Sequence, residues 1–301
     1  MVDIATSTFG DLVQPFQIET FGLRGRLVRL GGALDTAFEN HDYPLPVTAL
    51  LGEIMALAAV LASGLKYDGV FTLQTQGDGP VTMTVANVTS NGDLRGYARV
   101  DEDGQAMESK DAPVPRLLGT GHMAFTVDQG TDTERYQGIT ELTGDTVSDC
   151  ARNYFRRSEQ LDTAIALAAR PGTGAGGAQA SALVIQRLPP DAGAVMDQDQ
   201  YWQQAVILMS SVTTTEMLDE TLSPADLLFR LFHQEGVRVF RQRSLRHACR
   251  CSRKRVATTL RSFPRAEVEA MAEDGLVTVT CEFCKAPYAF DEGDVARLYA
   301  P

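Results

Sequence analysis

VFTLQTQGDGPVTMTVANVTSNGDLRGYARV, residues 70–100, holds three short runs with strand character, 70–76, 81–88 and 94–100. Between them lie Gly77-Asp78-Gly79-Pro80 and Ser90-Asn91-Gly92-Asp93, both strong turn chemistry. The stretch reads as an antiparallel meander. Just upstream, Tyr43-Pro44-Leu45-Pro46 leads into residues 47–65, where apolar side chains fall on nearly every face, as in a helix buried all round. The apolar run 49–65 contains Glu53 and is too short for a membrane span, so no membrane is expected as a partner.

Working outward, residues 17–31 alternate loosely, and two more strands are expected at 123–127 and 136–142. Asp145 can then cap a helix running to about Gln160. The apolar runs 164–169 and 180–188, joined by the Gly-rich segment 170–179, predict a hairpin. A polar loop over 191–199 and a helix from Gln200 to about Leu218 follow, then a second helix opened by Ser223 as N-cap and Pro224 at its first position. Near the end, Pro264 can open a helix that Gly275 closes, and 277–280 can pair with 288–290. The fold class is α+β: an N-terminal domain of antiparallel or mixed sheets with packed helices over 1–190, ending near Pro189-Pro190, a helical linker over 191–242, and a small C-terminal four-cysteine zinc module over 243–301.

The last part carries the chemistry. Cys249-Arg250-Cys251 and Cys281-Glu282-Phe283-Cys284 are two close thiol pairs separated by residues 252–280. On an extended segment C-x-C puts both thiols on one face, and C-x-x-C at a tight turn converges its thiols on one point, which suits a tetrahedral zinc site. Buried bystander cysteines explain single occurrences, not two chelating pairs. His247, two residues before Cys249, is the substitute fourth ligand to weigh, but four thiolates already complete a tetrahedron. A module of about 60 residues buries little apolar surface, whereas structural zinc contributes roughly 10–16 kcal/mol, so loss of metal should unfold it. Thiolates are also oxidisable to disulfides, which cannot ligate zinc in the same way, so oxidation, metal release and unfolding are coupled.

The formal net charge of −12 disfavours a general nucleic-acid binder, yet residues 238–265 hold ten Arg and Lys and no acid. Arg250, Arg253, Lys254 and Arg255 lie where they could offset the charge of four thiolates. The N-terminus lacks a basic and an apolar region, and the cysteines are not spread like a secreted disulfide framework, so a cytoplasmic, reducing setting is expected.

With these residues in view, the chain resembles the thirty-three-kilodalton heat shock protein family, redox-regulated holdase chaperones marked by C-x-C, about thirty residues, then C-x-x-C. The likeness extends over Glu39-Asn40-His41-Asp42-Tyr43-Pro44, Leu73-Gln74-Thr75-Gln76-Gly77-Asp78-Gly79-Pro80, Arg135-Tyr136-Gln137-Gly138, Ser158-Glu159-Gln160 and Cys249-Arg250-Cys251-Ser252-Arg253. It implies an ATP-independent chaperone that is inactive when reduced and zinc-bound. Oxidation would then form Cys249–Cys251 and Cys281–Cys284 disulfides, release zinc, destabilise the linker and expose apolar surface to unfolded client proteins. The oxidised form is expected as a homodimer. Lys285 stands where a glycine often follows the last thiol; if the backbone there needs positive φ, lysine costs roughly 1 kcal/mol.

Other signals are weaker. Residues 172–177 formally contain G-x-G-x-x-G, but β-like sequence rather than a helix follows, so a hairpin tip is expected and no nucleotide site. Cys150 reads as a buried bystander, and His41, His122 and His233 have no spacing to a nucleophile. No enzyme active site is expected. Two other readings stay open: a zinc-ribbon nucleic-acid-binding protein, from the basic run, and a thiol-disulfide oxidoreductase using Cys281 and Cys284.

Overall fold

The computed structural model describes residues 9–101, 113–130, 136–172, 176–187 and 198–300. In chain order its elements are β1 (Leu12–Ile18), β2 (Leu23–Leu30), α1 (Gly32–Phe38), α2 (Leu45–Ala62), β3 (Val70–Gly77), β4 (Val81–Thr89), β5 (Asp93–Val100), β6 (Gly121–Asp128), β7 (Tyr136–Glu141), α3 (Val147–Tyr154), β8 (Thr163–Arg170) and β9 (Gln179–Arg187). There follow α4 (Gln198–Ser210), α5 (Thr214–Met217), α6 (Pro224–Phe232), β10 (Val237–Val239), β11 (Arg243–Ser244), β12 (Arg246–His247), α7 (Arg253–Leu260), α8 (Arg265–Ala270), β13 (Leu276–Thr280), β14 (Pro287–Asp291) and α9 (Glu292–Leu298). This is an α+β architecture.

The meander forms as its turn residues require: β3 pairs with β4 from Val70↔Thr89 to Gln76↔Met83, and β4 with β5 from Val81↔Val100 to Val88↔Leu94. Its sheet has the order β12-β5-β4-β3-β6-β7 and is antiparallel except for β12, which runs parallel to β5. A second sheet, in the order β10-β1-β2-β9-β8, also takes β11 onto β1. Helix α2 lies between the two. Thirteen of its residues are buried, against Val28, Leu30, Ala180 and Ala182 of one sheet and Phe71, Leu73, Ala86 and Phe125 of the other. That double contact explains an all-round apolar helix: by length and composition α2 could span a membrane, but 72% of its apolar window is buried inside the protein.

The opposite face of the second sheet is covered too. Phe16, Ile18, Leu23, Leu27, Leu183 and Ile185 pack against Met209, Met217, Leu218, Leu227, Leu228 and Phe232 of the α4–α6 region. The last residues build a third, small cluster of Leu260, Val268, Val277, Phe290 and Val295 under the β13–β14 hairpin.

Several local expectations change. Asp145 is not the helix cap: Thr146 accepts from the Asp149 N–H while the Asp149 carboxylate accepts from the Thr146 N–H, a reciprocal capping box. The helix expected to reach about Leu218 ends at Ser210, because Thr213 opens α5 with a capping box of its own to Glu216. Ser223 caps α6 with Pro224 at its first position, as expected. Strands β8 and β9 pair from Thr163↔Gln186 to Arg170↔Gln179, the expected hairpin. Residues 173–175 of its tip, Arg135, the domain end at Pro189-Pro190 and loop residues 191–197 lie outside the described residues.

Candidate metal centre

The chain reaches the first thiol pair along the edge of the meander sheet. Arg246 N–H donates to Gly92 O at 3.1 Å and Ala248 N–H to Leu94 O at 2.9 Å, clamping β12 to β5 immediately before Cys249. Ser252 then caps α7, so Cys249 and Cys251 sit between a pinned strand and a helix start. The second pair lies on the turn joining β13 to β14, closed by Cys281 N–H to Ala286 O at 3.0 Å and Lys285 N–H to Cys281 O at 2.8 Å. Lys285 has φ +56°, so the backbone there does take the left-handed conformation in which a glycine would be unstrained.

These two local structures bring four sulfurs together. Cys249 Sγ is 3.7 Å from Cys281 Sγ, Cys251 Sγ is 3.4 Å from Cys284 Sγ, and all four lie within 4.8 Å of one another. A tetrahedron with metal–sulfur bonds of about 2.3 Å has edges of about 3.8 Å, so the donor set fits zinc in kind, number and spacing. Four thiolates at such separations also need a cation among them to offset their repulsion. His247 is not in this group. It lies on β12 with Nε2 buried and, among the described residues, without a hydrogen-bond partner. Cys150 is fully buried in α3, its thiol 3.6 Å from Thr143 O and pushed up to about 11 by burial, and it is outside the four-sulfur group.

Neighbouring groups polarise the sulfurs unequally. Burial alone would raise Cys249, but hydrogen bonds from the Cys251 backbone, its partner thiols and Arg95 bring it down to about 7. Burial pushes Cys284 up to about 12, and raises Cys281 despite the N–H groups of Cys284 and Phe283. The Tyr288 hydroxyl donates to Cys251 Sγ at 3.0 Å. The side-chain cation that reaches a sulfur, Arg95 with Nη1 3.8 Å from Cys249 Sγ, comes from β5 rather than from the basic run. Of that run, Arg250 donates to Asn87 Oδ1 at 3.2 Å, and Arg253 pairs with Asp294 and lies over the Phe290 ring.

Arg95 belongs to a docking patch that the sequence pattern did not reveal. Phe283, between the second pair of thiols, has Arg95 3.7 Å from its ring centroid and Tyr97 edge-on at 4.7 Å. The carbonyl of Phe283 faces His41 Nε2 at 3.2 Å, and His41 stacks on Tyr43 at 4.6 Å. The Cys281–Cys284 knuckle therefore rests directly on the meander sheet. The alternating pattern of β5 marks residues at one face, but nothing in it marks Arg95 and Tyr97 as partners of a residue so distant in the chain.

The profile of a family described as Hsp33 protein matches residues 11–291. The 33 kDa chaperonin of Caulobacter vibrioides strain NA1000 / CB15N is 42% identical over 299 residues, covering 97% of this chain and 99% of that protein. The 33 kDa chaperonin of Cronobacter sakazakii is 37% identical over 291 residues, covering 96% of this chain and 94% of that protein. The crystal structure of the 33 kDa chaperonin of Thermotoga maritima, a heat shock protein 33 homolog, superposes with a TM-score of 0.81 at 21% identity, covering 96% of this chain and 97% of that one.

Proposed function

Because the chain belongs to the Hsp33 family, we propose that it is a redox-controlled, ATP-independent holdase chaperone, held inactive by zinc on Cys249, Cys251, Cys281 and Cys284 and switched on by oxidation of those thiols. The observation that carries this reading is the seating of the four-sulfur cluster on the meander sheet through Arg95 and Phe283. A change at the sulfurs is then felt by the rest of the fold.

Zinc, when bound, supplies the dication that lets four close thiolates coexist. With peroxide as oxidant, the Cys249 and Cys251 thiolates join with loss of two electrons, and Cys281 and Cys284 do the same, each peroxide taking up two electrons and two protons from solvent. Each peroxide is reduced to two waters. The disulfides leave no thiolate set to hold a metal. A module whose core is the Leu260, Val268, Val277, Phe290 and Val295 cluster has little else to keep it folded.

Relay from the four-cysteine site runs through the short strands that precede it in the chain, two at the start of the module read as residues 243–301 and one at the end of the linker. β12, β11 and β10 are two, two and three residues long, so each contributes few ladder bonds. Their release loosens the linker, read as residues 191–242, and uncovers the apolar sheet face of Phe16, Ile18, Leu23, Leu27, Leu183 and Ile185. That face, on the 1–190 domain, is the surface offered to unfolded clients, with the oxidised chain assembling as a homodimer in the cytoplasm.

The test is light scattering from a thermally aggregating client, with reduced protein and with peroxide-treated protein, alongside zinc and free-thiol counts. Suppression only after oxidation, with loss of about one zinc and of the four thiols, is expected. Equal suppression in both states, or none in either, overturns the reading.

A further inference from the structure

We propose that the cleft between the two sheets, beyond the C-terminal end of α2, is a binding site for a small monocarboxylate with an apolar body. The argument begins with β2. Its odd positions Leu23 and Leu27 face the linker helices, so Arg24, Arg26, Val28 and Leu30 share the other face, toward α2 and the meander sheet. Val28 and Leu30 are fully buried there. Arg24 and Arg26 occupy the same inward row, where Gln186 and Val184 of β9 stand beside them.

Helix α2 fills the space between the sheets as far as Ala62 and then stops. Past its end the sheets enclose a cleft of about 330 Å³, near the lower end of the range for ligand sites. Phe71, Phe125, Val127 and Phe155 form apolar walls, and Arg24, Arg26 and Lys66 also line it. A site with apolar walls and cations along one side selects an amphipathic anion.

Among the described residues no carboxylate forms an ion pair with either arginine, neither guanidinium forms a hydrogen bond, and Arg24 Nε is buried without a partner. Burial, with Arg24 and Arg243 close by, lowers Arg26 to about 10. Arg26 Nη1 lies so close to Gly64 that a Cβ there would come within 3.2 Å of it, so the guanidinium is held against the turn that ends α2. The carboxylate that does line the cleft, Glu159, is occupied: it accepts from the Tyr136 hydroxyl and, at 2.6 Å, from Tyr154. An inward, unpaired guanidinium pair is costly unless something anionic meets it. A carboxylate can accept from both arginines while its apolar body lies on the phenylalanine wall.

The test uses the reduced, zinc-loaded full chain with decanoate, kept below its micelle concentration, and with decanol and acetate for comparison, followed by isothermal titration. Saturable binding of decanoate at about one per chain is expected, weakened at least about tenfold for decanol, for acetate and for the double variant Arg24→Gln/Arg26→Gln. Val127→Trp, which keeps both arginines and fills the cleft, should abolish binding and serves if the double variant does not fold. Decanol binding as tightly as decanoate, non-saturable uptake, or decanoate binding unchanged in a folded variant overturns the proposal.

Discussion

The guanidinium of Arg95 on β5 lies 3.7 Å from the centroid of the Phe283 ring, in the middle of the second thiol pair. Arg95 also reaches Cys249 Sγ and donates to Asn87 Oδ1 at 2.9 Å, so one side chain touches both thiol pairs' neighbourhoods and the sheet that supports them. Such a stack contributes about 0.5–2 kcal/mol, and the edge-on Tyr97 contact about 0.5–1.5 kcal/mol more.

Phe283→Ala removes both contacts without removing a ligand. It should leave metal content unchanged while raising amide hydrogen exchange over residues 246–300 several-fold, and should lower the peroxide dose needed for activation. Unchanged exchange in the metal-loaded variant would mean that the knuckle is held elsewhere.

What was legible in the sequence followed range. The cysteines stand as two close pairs in the sequence, and the meander announces itself through Gly77-Asp78-Gly79-Pro80 and Ser90-Asn91-Gly92-Asp93; the four sulfurs come together and the meander forms as read. Strand β2 was not legible as a core strand because Arg24 and Arg26 replace apolar residues in its inward row. Strands β10 to β12 are two or three residues long and take their pairing from distant partners, so periodicity had nothing to act on. The same holds for Arg95 and Phe283, whose contact exists only once the module is docked. Thr213 looked like an interior residue of one long helix until its capping box with Glu216 defined a new start.

Lys285 adopts φ +56°, and its Nζ pairs with Glu282 Oε2 at 3.1 Å in an exposed position. The left-handed conformation costs a lysine about 1–2 kcal/mol relative to glycine, partly offset by glycine's larger entropy loss on folding. An exposed ion pair recovers little. Lys285→Gly should therefore stabilise the metal module by roughly 0.5–1 kcal/mol, seen as tighter zinc retention against a chelator. Faster zinc loss would show that the lysine contributes something the backbone strain does not reveal.

Phe16 lies directly over Gly25 of the neighbouring strand: a Cβ at position 25 would come within 2.1 Å of the ring. The same ring stacks on Phe232 of α6 with centroids 6.0 Å apart. Gly25→Ala must push Phe16 toward Phe232, an overpacking change costing about 1–3 kcal/mol. A lower urea midpoint is expected, with increased exchange in α6 before the meander sheet is affected. If α6 keeps wild-type protection, the sheet face and the linker helices are not coupled through this pair.

Glu53 is the one acid on α2, and it lines a cleft of about 1000 Å³ together with Leu50, Leu117, Arg170, Asp219 and Glu220. Arg170 donates to Gln179 Oε1 at 2.5 Å, and Gln179 in turn donates to Glu220; among the described residues no cation forms an ion pair with Glu53. Burial raises the carboxyl from 4.5 to about 7. Because the folded state holds this proton more tightly than the unfolded chain, its contribution is fully favourable below the unfolded value and is lost as pH rises through the folded one. The loss is about 1.4 kcal/mol per pH unit across that window, or roughly 3 kcal/mol in all, and it levels off above about pH 7. Glu53→Gln keeps the shape and removes the ionisation. Its urea midpoint should exceed that of the wild type at pH 8, and the gap should close toward pH 5. The thiol site also responds to pH, but equally in both proteins, so the difference between them isolates Glu53. An equal gap at both pH values would show that Glu53 ionises freely in the folded protein and that water in the cleft reaches its carboxyl.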